Sequence, residues 1–416
     1  MWHVRDAPNP MLPRRYRAAL LAFLGVGAVL ALTTLPVVLP AGSEQETTFG
    51  CLFCGSRGVA DALLNVALYV PVGIAMGMAG VRLTTALLLG ALLSSSLELL
   101  QLVIPGRDAS VGDVITNALG AGLGAVWWAR RWAIMSPRGP ARRSAFAVAA
   151  ATIPLSVALT AWLLAPSLPT GLDYWGQWTP NQAHIEWYRG RVTGATIGGV
   201  AAPSRRLADP DSVRARLLRV AAIEVTAIAG PPTSRLSAIF SVYDGRRREL
   251  LLIGPDRDDL VVRYRTRSTA LRLDQPDLRW RDAFGGVAEG DSIDIRLGMD
   301  GSGNPCLHLN GEYTCGLRPP PGRAWSVFAY SLGKVGGVVP VLDAIWWVIL
   351  LFPAALWRRS SRDTLLLALA ALLGVGVVPP AAGLGAAGWT EWIGALVGVA
   401  LGTAVATRVR STRAPN

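Results

Sequence analysis

Eight stretches of this chain are nearly free of charge and long enough to matter: roughly 18–40, 59–80, 83–104, 111–129, 144–166, 337–357, 363–381 and 389–407. A helix needs about 20 mostly apolar residues to cross the hydrocarbon core of a bilayer. Within lipid the backbone must satisfy its own hydrogen bonds, so runs of this kind have to be helical. Composition agrees, since 51% of residues are hydrophobic and 16% are charged, against about 25% charged in an ordinary soluble domain. A purely soluble or disordered chain is excluded. Arg14, Arg15 and Arg17 precede the first run as a signal peptide's basic segment would. Its apolar core is longer than a signal peptide's, so it reads as a retained anchor.

The formal charge of +12 comes from 40 basic residues, all arginine except Lys334. Their placement shows what that charge is for. Outside the polar stretch 167–336 there are eighteen, and an alternating eight-span path with a cytoplasmic N-terminus puts sixteen of them on the inside, with only Arg57 and Arg107 outside. Basic residues concentrate in cytoplasmic loops, so both termini are expected in the cytoplasm and 167–336 outside it. Most of the charge is then a topology signal, and no nucleic-acid partner is expected.

The segment 167–336 carries 22 basic and 18 acidic residues, a mixed and solvated balance. Short strand-like runs bounded by turn residues fill it: 223–229, 236–243, 250–253, 260–264, 269–273, 292–297, 306–309 and 325–330. Regular short strands without helical periodicity predict an antiparallel sandwich. The expected protein is therefore a polytopic α-helical membrane protein of about eight spans with an extracytoplasmic all-β sandwich. Its parts are a five-span membrane domain at 1–166, the sandwich at 167–336 and three further spans at 337–416.

All four cysteines fall outside in this topology, where disulfides persist. Cys306 and Cys315 flank Asn310-Gly311, a good hairpin turn, and a disulfide is expected there rather than two buried thiols. Cys51 and Cys54 have CxxC spacing, which fits a local disulfide or a metal site. A zinc site would want two more ligands, none is near, and no metal is expected.

Ionisable residues inside membrane runs are expensive and mark function or pairing. Asp61 and Asn65 lie four apart at the start of the second run, Glu98 and Gln101 three apart near the end of the third, and Asp113 and Asn117 four apart at the start of the fourth, with Gly120 and Gly124 continuing that stripe. Each pair shares a helix face. Arg107 and Asp108 sit in the connecting loop. The topology gathers all eight polar residues, Asp61, Asn65, Glu98, Gln101, Arg107, Asp108, Asp113 and Asn117, in the outer half of the membrane. They form either a ligand-binding site open to the outside or a structural network of acids paired with Arg107. The glycines would let helices approach closely and keep the group compact.

Around these residues the chain resembles the VanZ-like family of membrane proteins, named for a glycopeptide-resistance accessory protein. The likeness rests on Asp61, Asn65, Pro71 and Gly73, then Ser94, Glu98 and Gln101, then Arg107, Ser110, Asp113, Asn117, Gly120 and Gly124. It runs from the first run to the fourth and implies a cell-envelope protein linked to teicoplanin-type resistance. The fifth run, the sandwich and the last three runs depart from a minimal member. The polar segment resembles a concanavalin-like or laminin-G-like sandwich in Ile239 to Asp244, Glu249 to Gly254 and Asp259 to Tyr264. That likeness implies binding of glycans or proteins, in some members with calcium. Asp256, Asp258 and Asp259 have the chemistry of calcium ligands, although a polar hairpin turn explains them more simply. Trp175, Trp178 and Trp187 would stack on sugars or fill the core.

His3, His184 and His308 are too scattered for a metal site, and no serine-hydrolase, zinc-protease or phosphate-loop motif occurs. No cofactor is expected. The reading favoured is a binding protein whose partners are membrane lipid and a lipid-linked cell-wall precursor or glycan. The alternative is a membrane enzyme using its carboxylates for acid–base chemistry on a lipid-linked substrate. A transporter fits less well, because the polar group lies on one side only.

Overall fold

The computed structural model describes residues 14–34, 55–104, 109–182, 185–219, 222–334 and 337–411. The chain divides into two compact units, one reaching Met135 and the other beginning essentially at Ser136.

The first unit has four helices: α1 (Arg14–Thr34), α2 (Gly58–Met78), α3 (Leu83–Gln101) and α4 (Val111–Met135). Its packing follows from small residues. A Cβ added to Gly120 would lie 2.3 Å from the Val66 carbonyl oxygen, one on Gly124 would lie 2.2 Å from that of Val70, and one on Gly73 would lie 2.0 Å from that of Ala121. The α2 and α4 backbones are therefore in direct contact, and no larger side chain fits between them. Val29, Tyr69, Val72, Leu97 and Ala121 fill the buried centre of this unit.

The second unit begins with α5 (Gly139–Leu164), which carries Pro154 in its interior. Eleven strands follow: β1 (Tyr174–Trp178), β2 (Arg191–Ile197), β3 (Val200–Ala201), β4 (Ile223–Ile228), β5 (Phe240–Asp244), β6 (Glu249–Asp256), β7 (Asp259–Tyr264), β8 (Leu278–Trp280), β9 (Ser292–Met299), β10 (Pro305–Leu309) and β11 (Glu312–Cys315). They form two antiparallel sheets, ordered β1-β5-β6-β7-β8 and β11-β10-β9-β4-β2-β3. Alternate residues of β4 and β9 face a common core with Phe240, Val242, Leu251 and Ile253 of the other sheet. Leu252 and Val261 point the opposite way, and Ile185, Leu236 and Ala238 cover them. A sheet buried on both faces explains why Leu250 to Ile253 is continuously apolar instead of alternating.

The hairpin β10–β11 turns on Asn310 and Gly311, both at positive φ (51° and 92°), the backbone that an Asn-Gly turn requires. That register sets Cys306 opposite Cys315, and the two form a disulfide across the strands. Cys51 and Cys54 lie outside the described residues.

Two expected strands are helical turns. Residues 269–273 fall on α7 (Arg267–Ala270) and the turn after it, where the Thr266 and Ser268 hydroxyls pair at 2.7 Å and Ser268 Oγ donates to the Asp274 carbonyl at 3.0 Å. Residues 325–330 continue a 3₁₀ turn (Pro321–Trp325) into α8 (Ser326–Ala329), because proline at the first helical position favours that geometry. Helix α6 (Pro210–Leu218) was also not expected, although its signals are plain: Asp209 caps it by accepting from the Ser212 N–H at 3.1 Å, and Pro210 follows.

The chain ends in α9 (Val338–Trp357), α10 (Ser361–Leu372), which continues through a π turn into α11 (Val378–Ala381), and α12 (Trp389–Ser411). Ser360 and Asp363 form a reciprocal capping box at the start of α10. Six helical segments are long and apolar enough to cross a membrane: Gly58–Met78, Leu83–Gln101, Gly139–Leu164, Val338–Trp357, Ser361–Ala381 and Trp389–Val409. Helix α1 contributes a shorter apolar stretch, Ala19–Ala31. Helix α4 is 25 residues long and carries Asp113, Arg130 and Arg131.

Candidate functional site

Helical spacing puts Asp61, Asn65 and Tyr69 on one face of α2, and the glycine contacts press that face against α4. Polarity is graded along it. Asp61, about half exposed at the helix start, pairs with Arg57 at 3.6 Å. One turn deeper, the Asn65 side chain lies beside the Asp113 carboxylate, with Asp61 also close enough to act on it. Tyr69, one turn further, is fully buried.

Helix α3 closes the group from the other side. Glu98 Oε2 accepts the Ser110 N–H at 2.8 Å, and Ser110 Oγ accepts the Gly112 N–H at 3.1 Å, so two backbone donors at the start of α4 are satisfied by side chains. Asn117 Nδ2 donates to Ser94 Oγ at 2.8 Å, while Asn117 Oδ1 is buried without a hydrogen-bond partner among the described residues. Glu98 is 5% exposed and Asn117 4%, and the Glu98 and Asp113 carboxylates lie within electrostatic reach of each other. Gln101 is buried at the end of α3.

Six of the eight expected site residues are thus described, and Glu98, Asp113, Asn117 and Asn65 converge where α2, α3 and α4 meet. Arg107 and Asp108 lie outside the described residues. Tyr69, Ser94 and Ser110 join the group without having been counted in it. Tyr69 follows Asn65 at the same four-residue step as Asn65 follows Asp61, so the face could have been extended to it by spacing alone.

Two further carboxylates inside membrane-length helices escaped the sequence reading. Asp343 of α9 is 4% exposed and receives Arg323 Nε at 3.0 Å, Arg323 Nη2 at 3.1 Å and Trp325 Nε1 at 2.7 Å. Glu391 of α12 is 1% exposed and accepts from the N–H groups of Gly322 and Gly388 and from Trp347 Nε1. Each is a lone acid in an otherwise apolar run, which was the available signal. A cavity of about 610 Å³ lies nearby in the same unit, lined by Leu164 and Val339 from the helices and by Tyr264, Arg279 and Arg318 from the strands and loops.

In the strand-rich part the three aspartates do not converge on a cation. Asp256 and Asp259 hold Arg279 at 2.6 and 2.8 Å, and Asp259 also holds Arg281 at 3.0 Å. Burial pushes the Asp259 carboxyl upward, but the hydrogen bonds from Arg279 and the Asp282 N–H, with the two guanidinium charges, hold it below its ordinary value. Trp178 packs against the core and donates Nε1–H to the Ala202 carbonyl at 3.0 Å, whereas Trp175 and Trp187 are exposed.

Six membrane-length helices with a pair of antiparallel sheets define a multi-pass membrane protein carrying a separate β domain. Residues 18–133, which hold α1 to α4 and the polar group, match the VanZ/LLP1 family, so this part of the chain is a VanZ-like domain. No match was found among curated proteins or solved structures.

Proposed function

We propose that the chain is an eight-span VanZ-like envelope protein whose polar group at the α2–α3–α4 junction binds a lipid-linked or cell-wall-related ligand from the outer side. The observation that carries this is the convergence of Glu98, Asp113 and Asn117 in a buried group where Asn117 Oδ1 still lacks a donor. Burying a polar acceptor unpaired costs about 1–3 kcal/mol. A ligand that brings hydroxyl or amide donors recovers that cost, and sugars and peptides linked to lipid carriers have both. The ligand-binding residues in this reading are Asp61, Asn65, Glu98, Gln101, Arg107, Asp108, Asp113 and Asn117. Arg107 would hold a phosphate.

Both termini are cytoplasmic in this reading and 167–336 is extracytoplasmic, where a concanavalin-like or laminin-G-like sandwich meets glycan or protein. The sixteen-to-two distribution of basic residues supports that orientation, and a disulfide between Cys306 and Cys315 suits an oxidising compartment. Influence on teicoplanin-type susceptibility would follow from occupancy of a cell-wall precursor. The second reading is enzymatic, because Glu98 and Asp113 are close enough to divide acid and base roles between them.

The test is binding of a lipid-linked peptidoglycan precursor to the full-length protein in nanodiscs. Saturable binding with the precursor recovered unchanged supports the binding reading, and conversion of the precursor supports the enzymatic one. Absence of saturable binding contradicts both.

A further inference from the structure

The far ends of α5 and α10 enclose a second feature, independent of the polar group just described. A groove of about 1020 Å³ is lined at one end by Arg142, Arg143, Arg359 and Arg362 and further along by apolar residues including Phe146, Ala150, Pro154, Leu366, Leu369 and Leu373. Asp363 is the single carboxylate in that lining, and its Oδ2 already accepts the N–H groups of Arg359 and Ser360 at 2.7 and 3.1 Å. Arg142 is fixed in place: its Nε donates to the Trp357 carbonyl and its Nη2 to the Arg358 carbonyl, both at 2.8 Å, tying α5 to the end of α9. The guanidinium groups of Arg143, Arg359 and Arg362 make no ion pair among the described residues, and all three side chains are exposed.

We propose that this groove is a binding site for an anionic phospholipid, with its phosphate among Arg143, Arg359 and Arg362 and an acyl chain along the apolar floor between α5 and α10. Three arguments select that occupant. The charge at the mouth is strongly positive, and the one acid is engaged by backbone donors. The floor belongs to two helices of membrane-crossing length and apolarity, so it faces acyl chains and not water. Its length also fits: from Arg142 to Pro154, at 1.5 Å per residue, is about 18 Å, close to the ~15 Å hydrocarbon depth of one leaflet. Arginines beside membrane helices commonly serve orientation alone. Here they crown a groove one leaflet deep, and basic pockets between membrane helices bind anionic headgroups. The assignment does not depend on which leaflet is involved.

The test measures affinity of the full-length protein in detergent for dioleoylphosphatidylglycerol, dioleoylphosphatidylcholine and soluble glycerol 3-phosphate, with lipid-free melting as a fold control. The anionic lipid should bind at least ten times more tightly than the zwitterionic one. Arg362→Gln should weaken it about fivefold, and the combined Arg143→Gln, Arg359→Gln and Arg362→Gln variant about a hundredfold, taking a near-surface arginine as worth roughly a fivefold gain. Phosphatidylcholine binding should not change, and lysine at the three positions should restore most of the loss. Equal affinity for the two lipids overturns the proposal, as does undiminished phosphatidylglycerol binding by Arg362→Gln with normal melting. Glycerol 3-phosphate binding as tightly as the lipid would assign the arginines to free phosphate and remove the acyl-chain claim.

Discussion

Glu98 Oε2, at the end of α3, accepts a hydrogen bond from the Ser110 N–H at the start of α4, 2.8 Å away. A buried carboxylate thereby does the work of a helix cap for its neighbour. The bond joins two membrane helices across a twelve-residue separation and fixes where Asp113 and Asn117, one and two turns into α4, are presented. The structural and functional demands on Glu98 are separable, because a neutral amide can still accept that bond but cannot carry the charge.

The α2–α4 contact should tolerate no added atoms. Gly120→Ala or Gly124→Ala puts a Cβ against a carbonyl oxygen of α2, and overpacking of this kind costs about 1–3 kcal/mol. Lower melting in detergent is expected for both. Gly27→Ala, which meets open space, should melt like the parent chain. Equal melting of all three would show that the helices are not in contact.

Arg323 and Asp343 should behave as a coupled pair. Arg323→Ala leaves the nearly buried Asp343 with Trp325 alone, and loss of about 2–3 kcal/mol is expected, below the 3–5 of full burial because Arg323 keeps some contact with water. Adding Asp343→Asn should recover part of it. A double-mutant cycle with no coupling would contradict the assignment.

Acid should weaken the β domain through Asp259. Its folded pKa is depressed, so it contributes stability above its unfolded value of about 3.9 that is lost as pH falls through the folded one. Asp259→Asn in the full-length protein should therefore melt lower than the parent at pH 7, with the gap closing as pH is taken below about 4. A gap that stays constant with pH would rule out the ion pairs with Arg279 and Arg281 as its source.

Peptide mapping of unreduced protein should recover Cys306 joined to Cys315. A loop this short predicts roughly 2.7 kcal/mol of stabilisation from chain entropy, so the Cys306→Ser, Cys315→Ser double variant should melt measurably lower. Full alkylation of both thiols in native protein would contradict the pairing.

Each of the eight apolar runs coincides with a helix, because an unbroken uncharged stretch of that length has few other ways to satisfy its backbone. The Asn-Gly turn gave away the β10–β11 disulfide for a similarly local reason. What stayed hidden was non-local. Strands β1 and β2 contain Gly176 and Gly194 and owe their pairing to distant partners, and the segment 325–330 looks strand-like until Pro320 and Pro321 are given their weight. Asp343 and Glu391 were passed over because their partners, Arg323 and the Gly322 N–H, lie across a long stretch of chain in a loop with no pattern of its own. The polar group was legible because its residues repeat at three- and four-residue steps on adjacent helices.

The most direct measurement of the central claim is precursor binding by Glu98→Gln, with the full-length protein in nanodiscs and its melting recorded alongside. Glutamine keeps an oxygen to accept the Ser110 N–H and removes the charge. If the polar group binds ligand, affinity for the lipid-linked precursor should fall at least tenfold while melting stays within a few degrees of the parent. Precursor binding at parental affinity by a normally melting Glu98→Gln protein would contradict the account.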